Sequence, residues 1–408
     1  MSEFTKAVLP NGVRVLIEPV PYVQSVAIGL WCATGSRHEF DDEAGITHLI
    51  EHMLFKGTEK RTAKEIAQDI EGLGGHLNAF TDKESTCYYC RMLAADAQVG
   101  LDVLTDMLLH SRIDPEELAR EQGVVLEEIK RNEDEPSDHV HELHLQARWG
   151  QHPLGKPVIG TRESVSGFAR EHLLRYMERQ YRGANVLVSI AGNVEGAKAQ
   201  EFVEQLLGGV PSGGEAVACE RPYGSAVNTY VGRDVEQVHF CIGTDGASVH
   251  DDDVYVLSVL DSALGGSMSS RLFQEIREKR GLAYAIGSYS LAYSAGGAYT
   301  VYGGTSPEQW PLVQELVAEE FARVSRSGLE DEELARTKRS FAGQLAISLE
   351  GMGARMMRNA RNEIYFGRRV PVTETLAKID AVTHERIVDL AERMFAEGKV
   401  STTAIGPE

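Results

Sequence analysis

The sequence predicts an α+β protein made of two homologous α/β domains, each a mainly antiparallel sheet packed against helices. Three observations lead there. At 408 residues the chain exceeds what one ordinary core organises. Short apolar strand patterns alternate with longer amphipathic helical ones in both halves. The second half also repeats landmarks of the first in the same order, and a long internal period is the signature of duplicated units.

Taken in order, "VRVLIE" and "SVAIGLWCA" are runs of strand length rich in apolar and branched residues. "AGITHLIEHMLFKGT" then sets a helical period, and "GGHLNAFTDKESTCYYCRML" reads as a hairpin whose first strand lies near the sheet's margin. Inside it, Tyr88 and Tyr89 favour a strand with Cys87 and Cys90 on opposite faces, and no second cysteine pair completes a tetrahedral zinc site. "PEELAREQGVVLEEIKRNEDE" is a long helix and "ANVLVSIAGN" a late strand. Around residues 208–222 the composition turns to Gly, Pro and Ser without periodicity, which marks a linker between domains at 1–210 and 223–408.

Beyond the linker the pattern recurs. "VAIGLWCATGSRHEFDDEAGITHLIEHML" aligns with "HFCIGTDGASVHDDDVYVLSVLDSAL", and "RIDPEELAREQGVVLEEI" with "GLEDEELARTKRSFAGQL". The shared "EELAR" begins at Glu116 and Glu332, and the shared strand at Ala27 and Cys241, so the offsets are 216 and 214. One such match arises readily between amphipathic helices; two in the same order and spacing indicate duplication.

Composition narrows the function. A formal charge of −20 argues against nucleic acid or an anionic membrane as main partner and leaves room for basic peptides. No basic start followed by an apolar run opens the chain, and no uninterrupted apolar run approaches bilayer length. With five scattered cysteines, a reducing, cytoplasmic setting is the expectation.

The chemistry concentrates in "HLIEH". His48 and His52 are four apart, so a helix projects both imidazoles from one face, within reach of a single ion. Glu51 lies close to the same face and can reach a metal-bound water without being a ligand. A third ligand belongs on another element. The long helix offers Glu121 and Glu128, seven apart on one face beside Val124 and Val125, while Glu127 falls round towards solvent. In the second copy the matching positions hold about Ser258, Asp261 and Ser262, then Thr337 and Gln344. The fold therefore does not require these groups, and their joint loss there suggests that they work as one unit in the first copy.

The chain resembles the pitrilysin (M16) family of zinc metallopeptidases, in the short-chain branch that is similar to mitochondrial processing peptidase. The inverted motif H-x-x-E-H carries the resemblance. So does a glutamate after a further 75 residues, with "HMLFKGT", "GGHLNAFT", "HPLGKPVIG", "ANVLVSIAGN" and "SSRLFQEIREKRGLAY". The resemblance implies a metallohydrolase fold of the processing-peptidase type, with one Zn2+ per chain held by His48, His52 and Glu128. It implies Glu51 as general base and Glu121 as the group orienting a ligating histidine. Asn78 and Ala79 match positions that hold substrate main chain, and Phe55, otherwise plain core, could line a side-chain pocket. Arg277 and Tyr284 match a pair that contacts substrate and stabilises the oxyanion, with Lys279 and Arg280 as solvated neighbours. Asp138 and Glu142, one helical turn apart, match acids that recognise an arginine near the cleaved bond; an ordinary acidic helix face reads the same way. The implied activity is a zinc metalloendopeptidase acting on peptides or unfolded segments inside a clam-shell homodimer, with a heterodimer as the other assembly. A non-catalytic scaffold subunit of the same fold is the rival, and such subunits usually lack part of the set.

Overall fold

The computed structural model describes residues 4–214 and 218–408; residues 215–217, within the expected linker, lie outside the described residues. In chain order the first half runs β1 (Thr5–Val8), β2 (Arg14–Pro19), β3 (Ser25–Cys32), α1 (Ile46–Leu54), α2 (Ala63–Glu71), β4 (His76–Thr81), β5 (Thr86–Leu93), α3 (Ala97–His110), α4 (Pro115–Asp134), α5 (Pro136–Trp149), α6 (Arg162–Gly167), α7 (Arg170–Gln180), β6 (Val186–Gly192) and α8 (Gly196–Leu207). The second half runs β7 (Asn228–Gly232), β8 (Val238–Gly246), α9 (Asp253–Leu264), a π-helical turn at Phe273–Glu278, β9 (Ala283–Ala292), β10 (Gly297–Thr305), α10 (Trp310–Ser327), α11 (Asp331–Ser348), α12 (Met352–Phe366), α13 (Val372–Asp380), α14 (His384–Met394) and β11 (Ser401–Gly406).

The six-stranded sheet has the order β1-β2-β6-β3-β5-β4, antiparallel throughout except for β2–β6. The five-stranded sheet has the order β7-β11-β8-β10-β9, with β7–β11 its one parallel pair. Without β1, one order maps onto the other strand for strand, so the internal repeat is a repeat of topology. The α+β class of two mainly antiparallel, helix-packed sheets holds. No helix among the described residues is long and apolar enough to cross a membrane.

Each central strand is apolar on both faces because helices cover both. In β3, Val26, Ile28, Leu30 and Cys32 enter one core, while Ala27 and Trp31 pack on the opposite face with Met352, Met356 and Ala360. Cys87 and Cys90 divide in the same way between the two faces of β5, and all five cysteines are free.

Contacts divide the chain into two compact units that do not follow its halves. Unit 1 holds residues up to Lys130, Lys156–Ala218 and Ile347–Arg369; unit 2 holds Arg131–Gly155, Cys219–Ala346 and Val370–Glu408. This departs from a division at 1–210 and 223–408 by an exchange of helices. Helix α12, from the second half, lies on β2, β3 and β6, and α5, from the first, lies on β8 and β11. Matching glycines admit them. A Cβ on Gly29 would collide with Met356 Sδ, and one on Gly243 would come within 2.9 Å of His144 Nε2. Helix α5 is anchored further by Arg148, whose Nε donates to Asp245 (2.7 Å) and Nη1 to the Lys399 carbonyl (2.9 Å).

Candidate metal centre

Helix α1 starts at a fixed point. Gly45 precedes it in the left-handed region (φ 88°), and a Cβ there would meet the Ile159 carbonyl oxygen at 2.5 Å, so glycine is required twice over. The Glu39 carboxylate accepts hydrogen bonds from the Gly45 and Thr47 N–H groups, both at 2.9 Å, satisfying the helix's first donors. Burial pushes that carboxyl up to about 7 in spite of these bonds. Ile46, Leu49, Ile50 and Met53 are fully buried, and that apolar side leaves His48, Glu51 and His52 together on the half-buried one.

Helix α4 supplies the opposite wall. Val125 is buried between Glu121 and Glu128 and fixes the helix's rotation, whereas Val124 is 44% exposed and Glu127 faces solvent. The ligand-capable atoms of His48, His52 and Glu128 all lie within 4.8 Å of one another. Glu128 Oε2 stands 4.0 Å from His48 Nε2 and 3.7 Å from His52 Nε2. These gaps are too long for good hydrogen bonds and close to the roughly 3.4 Å that separates ligands on a tetrahedral zinc with bonds near 2.05 Å. Two imidazoles and one carboxylate are also the donor set of an open catalytic zinc site. The residues fit the ion.

The surroundings tune the donors. His52 Nδ1 meets Glu121 Oε2 at 3.1 Å, which aims Nε2 at Glu128, and Lys56 Nζ holds the other Glu121 oxygen at 2.7 Å. Burial, then the neighbouring His52, holds the His48 imidazole down to about 4, so at neutral pH it is unprotonated, as a ligand must be. Burial raises the Glu51 carboxyl above its ordinary value, opposed by a 2.6 Å hydrogen bond from Thr81 Oγ1. Thr81 is the residue that sequence reasoning missed. Its signal was available, because Ala79 and Thr81 alternate onto one face of the same strand.

That strand, β4, is the edge of its sheet, as expected for "GGHLNAFT". Asn78 is exposed, and its Oδ1 accepts from the Ala79 N–H (2.8 Å), occupying one donor of the free edge. Phe55 is half-buried and packs on the core, its ring 6.5 Å from Tyr88.

The remaining candidates belong to unit 2. The Arg277 guanidinium lies 4.8 Å from the ring centres of both Phe273 and Tyr284, so the expected pair is in contact, with Tyr284 83% exposed. Lys279 and Arg280 are both tied to Glu275 and exposed. Asp138 is exposed and Glu142 half-buried, one turn apart on α5. In unit 2, Ser288 on β9 donates to Asp261 on α9 at 2.5 Å, and burial raises that carboxyl to about 6; by strand register Ser288 stands in the place of Leu77, not of Thr81. Thr337 is buried where Glu121 would be, and Gln344 is exposed. Among the described residues, only His48, His52 and Glu128 form a cluster able to hold a metal.

Comparison with known proteins agrees with this asymmetry. Residues 14–162 match the family described as Insulinase (Peptidase family M16), and residues 167–341 match the Peptidase M16 inactive domain. A Bacillus subtilis (strain 168) protein named "Uncharacterized zinc protease YmxG" is 42% identical over 95% of this chain and 94% of its own. An uncharacterized zinc protease of Rickettsia felis is 35% identical over 100% of this chain and 98% of its own. Among solved structures, a protease from Helicobacter pylori (20% identity) and a peptidase M16 inactive domain from Pseudomonas fluorescens (21%) both superpose with a TM-score of 0.92. Each match covers all of this chain, and 100% and 98% respectively of the other. At such identities they establish the fold.

Proposed function

The chain belongs to the M16 peptidase family, and on that premise we propose that it is a zinc-dependent endopeptidase that hydrolyses peptides or unfolded segments. The observation that carries this reading is the convergence of His48, His52 and Glu128 beside a carboxylate, Glu51, that is not one of the three. Zinc held by the three would supply Lewis acidity at the scissile carbonyl and lower the pKa of a bound water towards about 7.

The protein's own groups do the rest. An extended substrate adds to the free edge of β4, where main-chain pairing gives affinity without demanding a sequence. For Ala79 to take part, the Asn78 side chain must leave its N–H. Glu51 takes a proton from the attacking water and passes it to the leaving amine; its raised pKa suits both halves of that task. Thr81 fixes which carboxylate oxygen faces the substrate. Arg277, stacked between two rings, and Tyr284 stabilise the oxyanion from a second protomer of a homodimer. Asp138 and Glu142 select a basic residue near the cleaved bond.

Glu51→Gln tests the assignment. It should abolish hydrolysis of an unstructured peptide library while zinc occupancy stays near wild type, and His52→Ala should lose both. Loss of zinc in Glu51→Gln would make Glu51 a ligand and overturn its role as base.

A further inference from the structure

Unit 1 closes one flank of its sheet with α8, packed on β2 and α3. Ala199, Phe202, Val203, Leu206 and Leu207 form its apolar stripe, with Val203 and Leu207 fully buried. Under it a cavity of only about 170 Å³ remains, lined by Ile28 and Ile190 of the sheet and Ala199 and Phe202 of α8.

The matching flank of unit 2, between β7 and α10, is a groove of about 610 Å³. Ile242 and Thr402 line it, and they pair across β8 and β11 as Ile28 and Ile190 pair across β3 and β6. The groove is therefore the counterpart of the flank that α8 covers. Its floor is aromatic: Phe321 and Phe395 are stacked at 3.9 Å, and Trp310 lies beside them against Phe240. Exposed Ala318 and half-buried Ala322 keep the α10 wall low, as small residues do where a helix approaches closely.

We propose that this groove docks a three-turn amphipathic helix of a partner polypeptide, seated as α8 is seated on unit 1. Its apolar stripe would follow the i, i+3, i+4, i+7, i+8 spacing of the five α8 residues. Its outer face would be basic, because Glu315 and Glu319 are exposed beside Ala318 on α10 and the whole chain carries −20.

The probe is a fluorescent peptide of residues 195–208 with Glu201 and Glu204 replaced by lysine, titrated with the full chain. Saturable binding with a shift in Trp310 emission is expected, since Trp31 and Trp149 are buried and do not line the groove. Replacing Val203 and Leu207 of the peptide by Asp should weaken binding roughly tenfold or more. Ala318→Gln with Ala322→Gln in the protein should do the same while melting temperature and peptide hydrolysis hold. No saturable binding, or binding indifferent to the groove variant, would overturn the proposal.

Discussion

Single residues decide whether the cluster is a catalytic site or a decorated helix. His48, Glu51 and His52 were legible in the sequence because their convergence needs only local helical geometry. Choosing Glu128 over Glu121 as ligand rested on the resemblance, and the structure separates them physically. Glu121 is 5% exposed and meets His52 through the nitrogen facing away from Glu128, which leaves it outside the three-residue cluster. Glu121→Gln should weaken zinc binding about 10- to 100-fold without removing the site, measured by competition with a chelator. Thr81 yields a test of charge. Its hydrogen bond favours the ionised Glu51, so Thr81→Val should raise that pKa further. A base works only when deprotonated; activity falls as pH drops through its pKa, and the acid limb of kcat/KM should therefore move to higher pH in Thr81→Val.

At the scale of elements, several strands and the repeat were readable while the order of strands within each sheet and the partners of α5 and α12 were not. The central strands announce themselves as short apolar runs, and matching landmarks expose the repeat. An apolar stripe on a helix, by contrast, says that some sheet must cover it and not which. Gly29 and Gly243 carried the hint as matching small residues inside strongly apolar strands. The buried side of α5 predicts two stability effects. Arg148→Ala leaves Asp245 without its guanidinium partner in partly buried surroundings and should cost about 3 kcal/mol or more, read by denaturant unfolding. His144 is buried with Nδ1 3.1 Å from Thr403 Oγ1, and burial, aided by Arg148 and His141, holds it down to about 3. Its unfolded value is near 6.5, so below that pH the unfolded chain takes up a proton that the folded one refuses. Stability is whole above about pH 6.5 and falls by up to about 1.4 kcal/mol per pH unit towards pH 3. His144→Leu should flatten that acid limb.

For the whole molecule, the two units have one topology and unequal chemistry: the three residues able to hold a metal lie in unit 1 and the Arg277–Tyr284 pair in unit 2. In a homodimer whose sites are completed in trans, Glu51→Gln and Arg277→Ala chains, each nearly inactive alone, should complement. Random mixing should restore roughly a quarter of wild-type activity, since half the dimers are mixed and each has one intact site. No recovery despite proven subunit exchange would place the pair in cis or outside the reaction. Metal analysis of the purified chain alongside peptide hydrolysis, before and after chelation and zinc return, tests the zinc-peptidase reading most directly. One zinc per chain is expected, with hydrolysis lost on its removal and restored by one equivalent. Two zincs per chain, or undiminished hydrolysis by the metal-free protein, would contradict it.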